Sequence, residues 1–284
     1  MPRREPGKAA RRRGVAGARL AGVAVAATLV VAAMTPAAHG AARLAVRFAA
    51  AMNSIPRTAA PTAMRLPVGR SFGGTSAVGA LFTESAGGHL RTHFCTASVV
   101  DSPHADLAVT AAHCVARHSG PMAFVPGWRD GRAPYGVWTV RQVLVDRAWT
   151  SSASIDDDVA FLVIAPAHGA RIERVTGAER VGIDRLGRLP VEVIGYPDRE
   201  DDPVTCHGRT SVPLPHQLEF DCGRYTDGTS GGPFLMDAGR GAGPGTVIGV
   251  IGGYEQGGDV AQISYAAEFG PNVGSLYRAA CAAG

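Results

Sequence analysis

Asp227-Gly228-Thr229-Ser230-Gly231-Gly232-Pro233 is the stretch on which the reading of this chain turns. A serine hydroxyl that acts as a nucleophile needs exposure, and it needs backbone N–H groups aimed at the oxyanion that develops on its target. Glycines on both sides permit the tight turn that points such N–H groups inward. An ordinary Gly/Ser turn is written in the same residues, so the stretch needs partners elsewhere in the chain.

Gly228-Thr229-Ser230-Gly231-Gly232 also matches the G-x-S-x-G nucleophile elbow of α/β-hydrolases, in which the acid and the histidine follow the serine. Here the last of nine histidines is His216, so that reading has no general base. The base must lie upstream. Thr110-Ala111-Ala112-His113-Cys114 closes a strand-like segment, with small residues leaving the His113 ring free and Cys114 able to anchor the loop. The other eight histidines read as surface or satisfied core residues. Neither H-E-x-x-H nor a Cys/His set with zinc spacing occurs, so no metal is implied. The acid is found in Asp156-Asp157-Asp158-Val159-Ala160-Phe161-Leu162. An aspartate that holds an imidazole's tautomer must be buried. Asp158 abuts the apolar run Val159–Ile164, whereas Asp156 and Asp157 lie further out and read as solvated.

His113, Asp158 and Ser230 in these motifs and this order resemble the chymotrypsin-like serine proteases, and the resemblance covers about 71–283. Gly195-Tyr196-Pro197, with no aspartate directly before the serine, is similar to bacterial branches such as the glutamyl endopeptidases. The resemblance implies an all-β fold of two perpendicular antiparallel β-barrels with the triad in the cleft between them. It implies an oxyanion hole from the N–H groups of Gly228 and Ser230, no cofactor, and a protein or peptide as substrate. Two alternatives keep the same fold: a catalytically inactive binding module, and an esterase.

The resemblance also locates a specificity pocket. The residue six before the serine, Arg224, falls at its base, and Ile251-Gly252-Gly253-Tyr254 stands where the family has serine, tryptophan and glycine. Tyr254 is expected to narrow the pocket, beside Gly252 and Gly253. Arg224 either attracts acidic side chains or turns to solvent, Asp221 or Asp227, leaving a small apolar pocket; either way cleavage after Lys or Arg is disfavoured. Arg70-Ser71-Phe72-Gly73-Gly74 resembles an activation site, but the usual acidic acceptor before the serine is Thr229 here.

The remaining features place this domain in the 284-residue chain. Residues 1–40 carry seven basic residues against Glu5, so they hold +6 of the whole-chain +4 and leave about −2 beyond. That remainder has no basic stripe for nucleic acid. A basic stretch, the apolar run Leu20–Met34 and the small residues around Ala41 read as a signal peptide, 1–40, too short to span a membrane. A propeptide or linker is expected over 41–70. The protease domain follows over 71–284, with a first barrel at about 71–170, a second at about 171–270 and a helix at about 272–282 opened by Asn272. A secreted monomer without stable membrane association after signal cleavage is the expectation. Lys8 is the only lysine, and the Ala/Arg/Gly bias fits a GC-rich actinobacterial source. Export favours disulfides. Four cysteines fall into local pairs, Cys95–Cys114 and Cys206–Cys222, and Cys281 is left as a free thiol on the apolar face of the last helix, with intermolecular pairing as the alternative.

Strands are expected at Val78–Phe82, Phe94–Val100, Leu107–Thr110, Val137–Val145, Val159–Ile164, Val191–Gly195 and Val247–Ile251. In the fourth, Val137, Thr139, Arg141, Val143 and Val145 share one side.

Overall fold

The computed structural model describes residues 65–284 apart from 86, 119 and 239–243. The expected signal peptide and most of the 41–70 segment lie outside the described residues. In chain order the elements are β1 (Arg70–Ser71), β2 (Val78–Glu84), β3 (Leu90–Val100), β4 (Leu107–Thr110), α1 (Ala112–Ala116), β5 (Met122–Pro126), β6 (Trp138–Val145), α2 (Arg147–Ser152), β7 (Ala160–Ile164), α3 (Ile172–Thr176), β8 (Arg180–Val181) and β9 (Pro190–Gly195). They continue with β10 (Val204–Arg209), β11 (Ser211–Leu214), β12 (Gln217–Asp221), β13 (Pro233–Met236), β14 (Thr246–Val250), β15 (Ile263–Ala267) and α4 (Pro271–Ala283).

Strands β2 to β7 close into a barrel in the order β2-β3-β4-β7-β6-β5. Closure leaves no strand edge unpaired. The Val159–Ile164 run is buried throughout, because barrel residues face one side of β7 and α4 covers the other, with Phe161 and Tyr277 rings 5.5 Å apart. Each fully buried Leu or Phe here contributes about 1.5–3 kcal/mol. The second half is a six-stranded sheet, β1-β10-β9-β13-β14-β8, facing a three-stranded sheet, β11-β12-β15. An Ile251–Ala266 bridge joins them, and Val193, Val204, Phe220, Phe234 and Ile248 fill the space between. This is the all-β, two-barrel architecture with a C-terminal helix.

Three local expectations change. In β6 a register shift between Val140 and Gln142 breaks the alternation, so Val143 and Val145 share the side of Val140 and not that of Thr139 and Arg141; ahead of the shift Trp138 is buried and Val137 is 41% exposed. Asn272 does not cap α4: Gly270 is the N-cap, Pro271 occupies the first turn, and the Asn272 side chain donates to Asp157 Oδ1 at 3.1 Å. Chain pairing begins ahead of Ser71, since Gly223 N–H donates to Pro67 O and Gly69 N–H donates to Gly223 O.

Candidate active site

The register of two barrel strands delivers the first two site residues. Thr110 at the end of β4 pairs with Ala160 at the start of β7. The residues just past those ends, His113 in α1 and Asp158 before β7, therefore emerge at the same end of the barrel. Ala111 and Ala112 are fully buried and small, which lets α1 start directly against the barrel. Asp158 is completely buried, and its carboxylate accepts three hydrogen bonds. The His113 N–H donates to Oδ1 at 2.8 Å, Nδ1 pairs with Oδ2 at 2.7 Å, and the Gly253 N–H donates to Oδ2 at 2.8 Å. A proton on Nδ1 is the form that meets the carboxylate, which leaves Nε2 as the basic nitrogen. Asp157, expected to be solvated, is also buried and accepts from Ser154 and Asn272.

Ser230 lies between β12 and β13. Gly231 has φ +81° and Gly228 φ +90°, conformations that a side chain resists. At both, a Cβ would strike packed atoms: Thr110 Oγ1 and Thr96 O at Gly231, Asp198 N and Tyr196 O at Gly228. The loop is tied to the first barrel by Thr96, whose N–H donates to Ser230 O at 2.7 Å and whose hydroxyl donates to Gly228 O at 3.0 Å. The same hydroxyl accepts from the Tyr196 N–H. Thr96 is a positioning residue that the motifs did not flag, one of several polar residues along β3 and so unmarked by the sequence pattern.

Among the described residues, neither the Gly228 N–H nor the Ser230 N–H has an acceptor. Both residues line a 330 Å³ hollow together with His113. His113 and Ser230 also share a 430 Å³ cavity on the neighbouring side. No hydrogen bond joins them among the described residues; in free enzymes such bonds often tighten only in the substrate complex.

Cys95 is bonded to Cys114, and Cys206 to Cys222. Cys114 Sγ lies 3.8 Å from His113 Nε2. The donor atoms of Cys95, His113 and Cys114 fall within 4.8 Å of one another, but both sulfurs are tied up in the disulfide and offer no thiolate for a metal. Cys281 is free, and burial raises its thiol pKa.

The specificity residues fall elsewhere than expected. Arg224 does not line the cavity. Its guanidinium pairs with Glu200, and not with Asp221 or Asp227, and donates to Ser71 Oγ at 2.8 Å. Gly252 and Gly253 support Asp158 instead of walling the cavity: a Cβ on Gly252 would come within 2.9 Å of Asp158 Oδ2. Tyr254 stacks edge-on against Tyr265 and does not narrow the cavity. Thr229, at the usual acidic position, is buried and donates to Thr226 O.

No protein-family model matches the sequence, and no curated protein matches it. Solved structures do resemble it. The protease Anisep of Arthrobacter nicotinovorans is 24% identical with a TM-score of 0.65, over 76% of this chain and 100% of its own. A thermostable serine protease, AL20, from an extremophilic microorganism is 22% identical with a TM-score of 0.62, over 74% and 99%. A Glu endopeptidase is 15% identical with a TM-score of 0.60, over 76% and 97%. The described chain thus has the chymotrypsin-like fold seen in bacterial serine proteases.

Proposed function

We propose that this chain is an exported serine endopeptidase with His113, Asp158 and Ser230 as its triad. The reading rests above all on the buried Asp158: with its oxygens taken by His113 and Gly253, it orients the imidazole of a histidine that lines two cavities together with Ser230. Ser230 Oγ attacks the scissile carbonyl while His113 Nε2 takes its proton. The free N–H groups of Gly228 and Ser230 receive the oxyanion. His113 then passes the proton to the leaving amine, which departs and leaves an acyl-serine. Water, deprotonated by His113, hydrolyses that ester and restores the hydroxyl. No step calls for a cofactor. Removal of a signal at 1–40 and of the segment that follows it would give a mature domain that keeps Pro67 and Gly69, which pair with Gly223, and two disulfides suit an oxidising compartment. Among the described residues no helix is long and apolar enough to cross a membrane.

The test combines a serine-directed fluorophosphonate label with casein and small peptide assays. Wild type is expected to be labelled at Ser230 and to cleave casein. Ser230→Ala, folded by circular dichroism, should lose labelling and about 10⁴–10⁶-fold of its activity. A folded Ser230→Ala variant with wild-type peptidase activity would overturn the assignment. A folded wild type that neither labels nor cleaves would instead be a binding module.

A further inference from the structure

We propose that the cavity beside Ser230 selects a basic side chain, arginine or lysine, on the residue whose carbonyl is attacked, and that Asp227, Glu255 and Asp259 make the selection. The proposal rests on the endopeptidase reading and names the substrate class of that same site.

Position comes first. The 430 Å³ cavity is walled on one side by Tyr225, Thr226, Asp227, Thr229 and the nucleophile Ser230, with Gly228 and its free N–H in the adjoining 330 Å³ hollow, and on the other by Ile251 and Glu255–Ala261. A carbonyl resting against Ser230 therefore directs its own residue's side chain into this space. The volume is within the ~300–1,000 Å³ usual for ligand pockets. Gly257 and Gly258 leave the far wall open. Both have positive φ, +107° and +118°, and a Cβ on Gly258 would strike Ile263 O, so a side chain there is resisted.

Charge decides what enters. Three carboxylates line the cavity, from Asp227, Glu255 and Asp259, against one guanidinium, from Arg117. Among the described residues none of the three forms an ion pair, so their charge is not neutralised from within the protein. Arg117 is turned to the Gln256 side-chain oxygen. The cation expected at the pocket base, Arg224, is paired with Glu200 outside the cavity. The lining offers little to an apolar guest, since beside the Tyr225 ring and the methyls of Thr226 and Thr229 its apolar groups come from Ile251, Val260 and Ala261 alone. An acidic guest would meet three like charges. A long side chain ending in a guanidinium or ammonium meets complementary charge with room to remain hydrated. This reverses the specificity that Arg224 suggests when read from the sequence.

The experiment uses the protein as exported, with fluorogenic peptides that differ only at the residue before the scissile bond: Arg, Lys, Leu, Phe or Glu. Arg and Lys peptides are expected to give the highest kcat/KM and the Glu peptide the lowest. Asp227→Asn, Glu255→Gln and Asp259→Asn should each lower the Arg-to-Leu ratio of kcat/KM about fivefold, the factor for one unit charge at ~4 Å in water. The triple variant should lose the preference. Because the carboxylates are exposed, the wild-type ratio should also shrink between about 0.05 and 0.5 M salt. A neutral fluorophosphonate reports Ser230 separately. Labelling of wild type combined with preference for Leu, Phe or Glu, or with an unchanged ratio in the triple variant, overturns this inference and leaves the protease reading standing. No labelling at all overturns both.

Discussion

Replacing Asp158 by asparagine tests the site at its most constrained point. The Asp158 carboxylate is fully buried and faces only donors: the His113 N–H at Oδ1, and His113 Nδ1 with the Gly253 N–H at Oδ2. An asparagine of the same shape must place an NH2 group at one of those two positions. At the Oδ1 position it opposes a backbone N–H that cannot turn away. At the Oδ2 position it opposes Gly253 and is relieved only if His113 gives up the proton on Nδ1. The proton then resides on Nε2, and the ring can no longer accept one from Ser230. Either placement leaves at least one buried donor unpaired, at about 1–3 kcal/mol. The second placement also removes the base, for which a kcat loss of about 10³–10⁴ is expected. The assay is kcat and KM on a peptide amide and an activated ester, alongside a urea titration of stability. A folded Asp158→Asn enzyme with kcat within tenfold of wild type would refute the reasoning, because its histidine would have kept a basic Nε2 without the carboxylate.

Two further predictions concern stability. Burial holds the Glu179 carboxyl above its ordinary value of 4.5, partly opposed by a backbone hydrogen bond from Gly245, and one of its oxygens has no partner among the described residues. The folded state therefore binds this proton more tightly than the unfolded chain, and the resulting stability, present below pH 4.5, is lost as pH rises through the folded pKa. Glu179→Gln cannot ionise, so its Tm should exceed wild type at pH 7, by about 2–4 °C for each kcal/mol recovered, and differ little at pH 4; equal shifts at both pH values would contradict this. Gly231→Ala should destabilise by about 1–3 kcal/mol or more and depress activity, since its Cβ meets Thr110 and Thr96 at φ +81°; an unchanged Tm in thermal unfolding would show that the loop yields freely.

Much of this protein was legible in its residues because the signals are local. The glycines around Ser230 announce a turn that only they can make. The apolar run Val159–Ile164 announces a buried strand with Asp158 at its mouth. Cysteines 16 and 19 residues apart announce short covalent loops. What escaped depends on contacts between distant segments. Asp158 takes its third donor from Gly253, 95 residues away, and Thr96 holds a loop 132 residues off. Neither partnership leaves a periodicity or spacing to read. Arg224 shows the limit most plainly: counting back from Ser230 places its backbone, but a long, charged side chain goes wherever the nearest carboxylate stands. The folding of the 197–202 segment set that carboxylate at Glu200, and so left the cavity to Asp227, Glu255 and Asp259. Chain order determined which residues could do chemistry; only the packing of loops within the second half decided which carboxylates line the cavity beside Ser230.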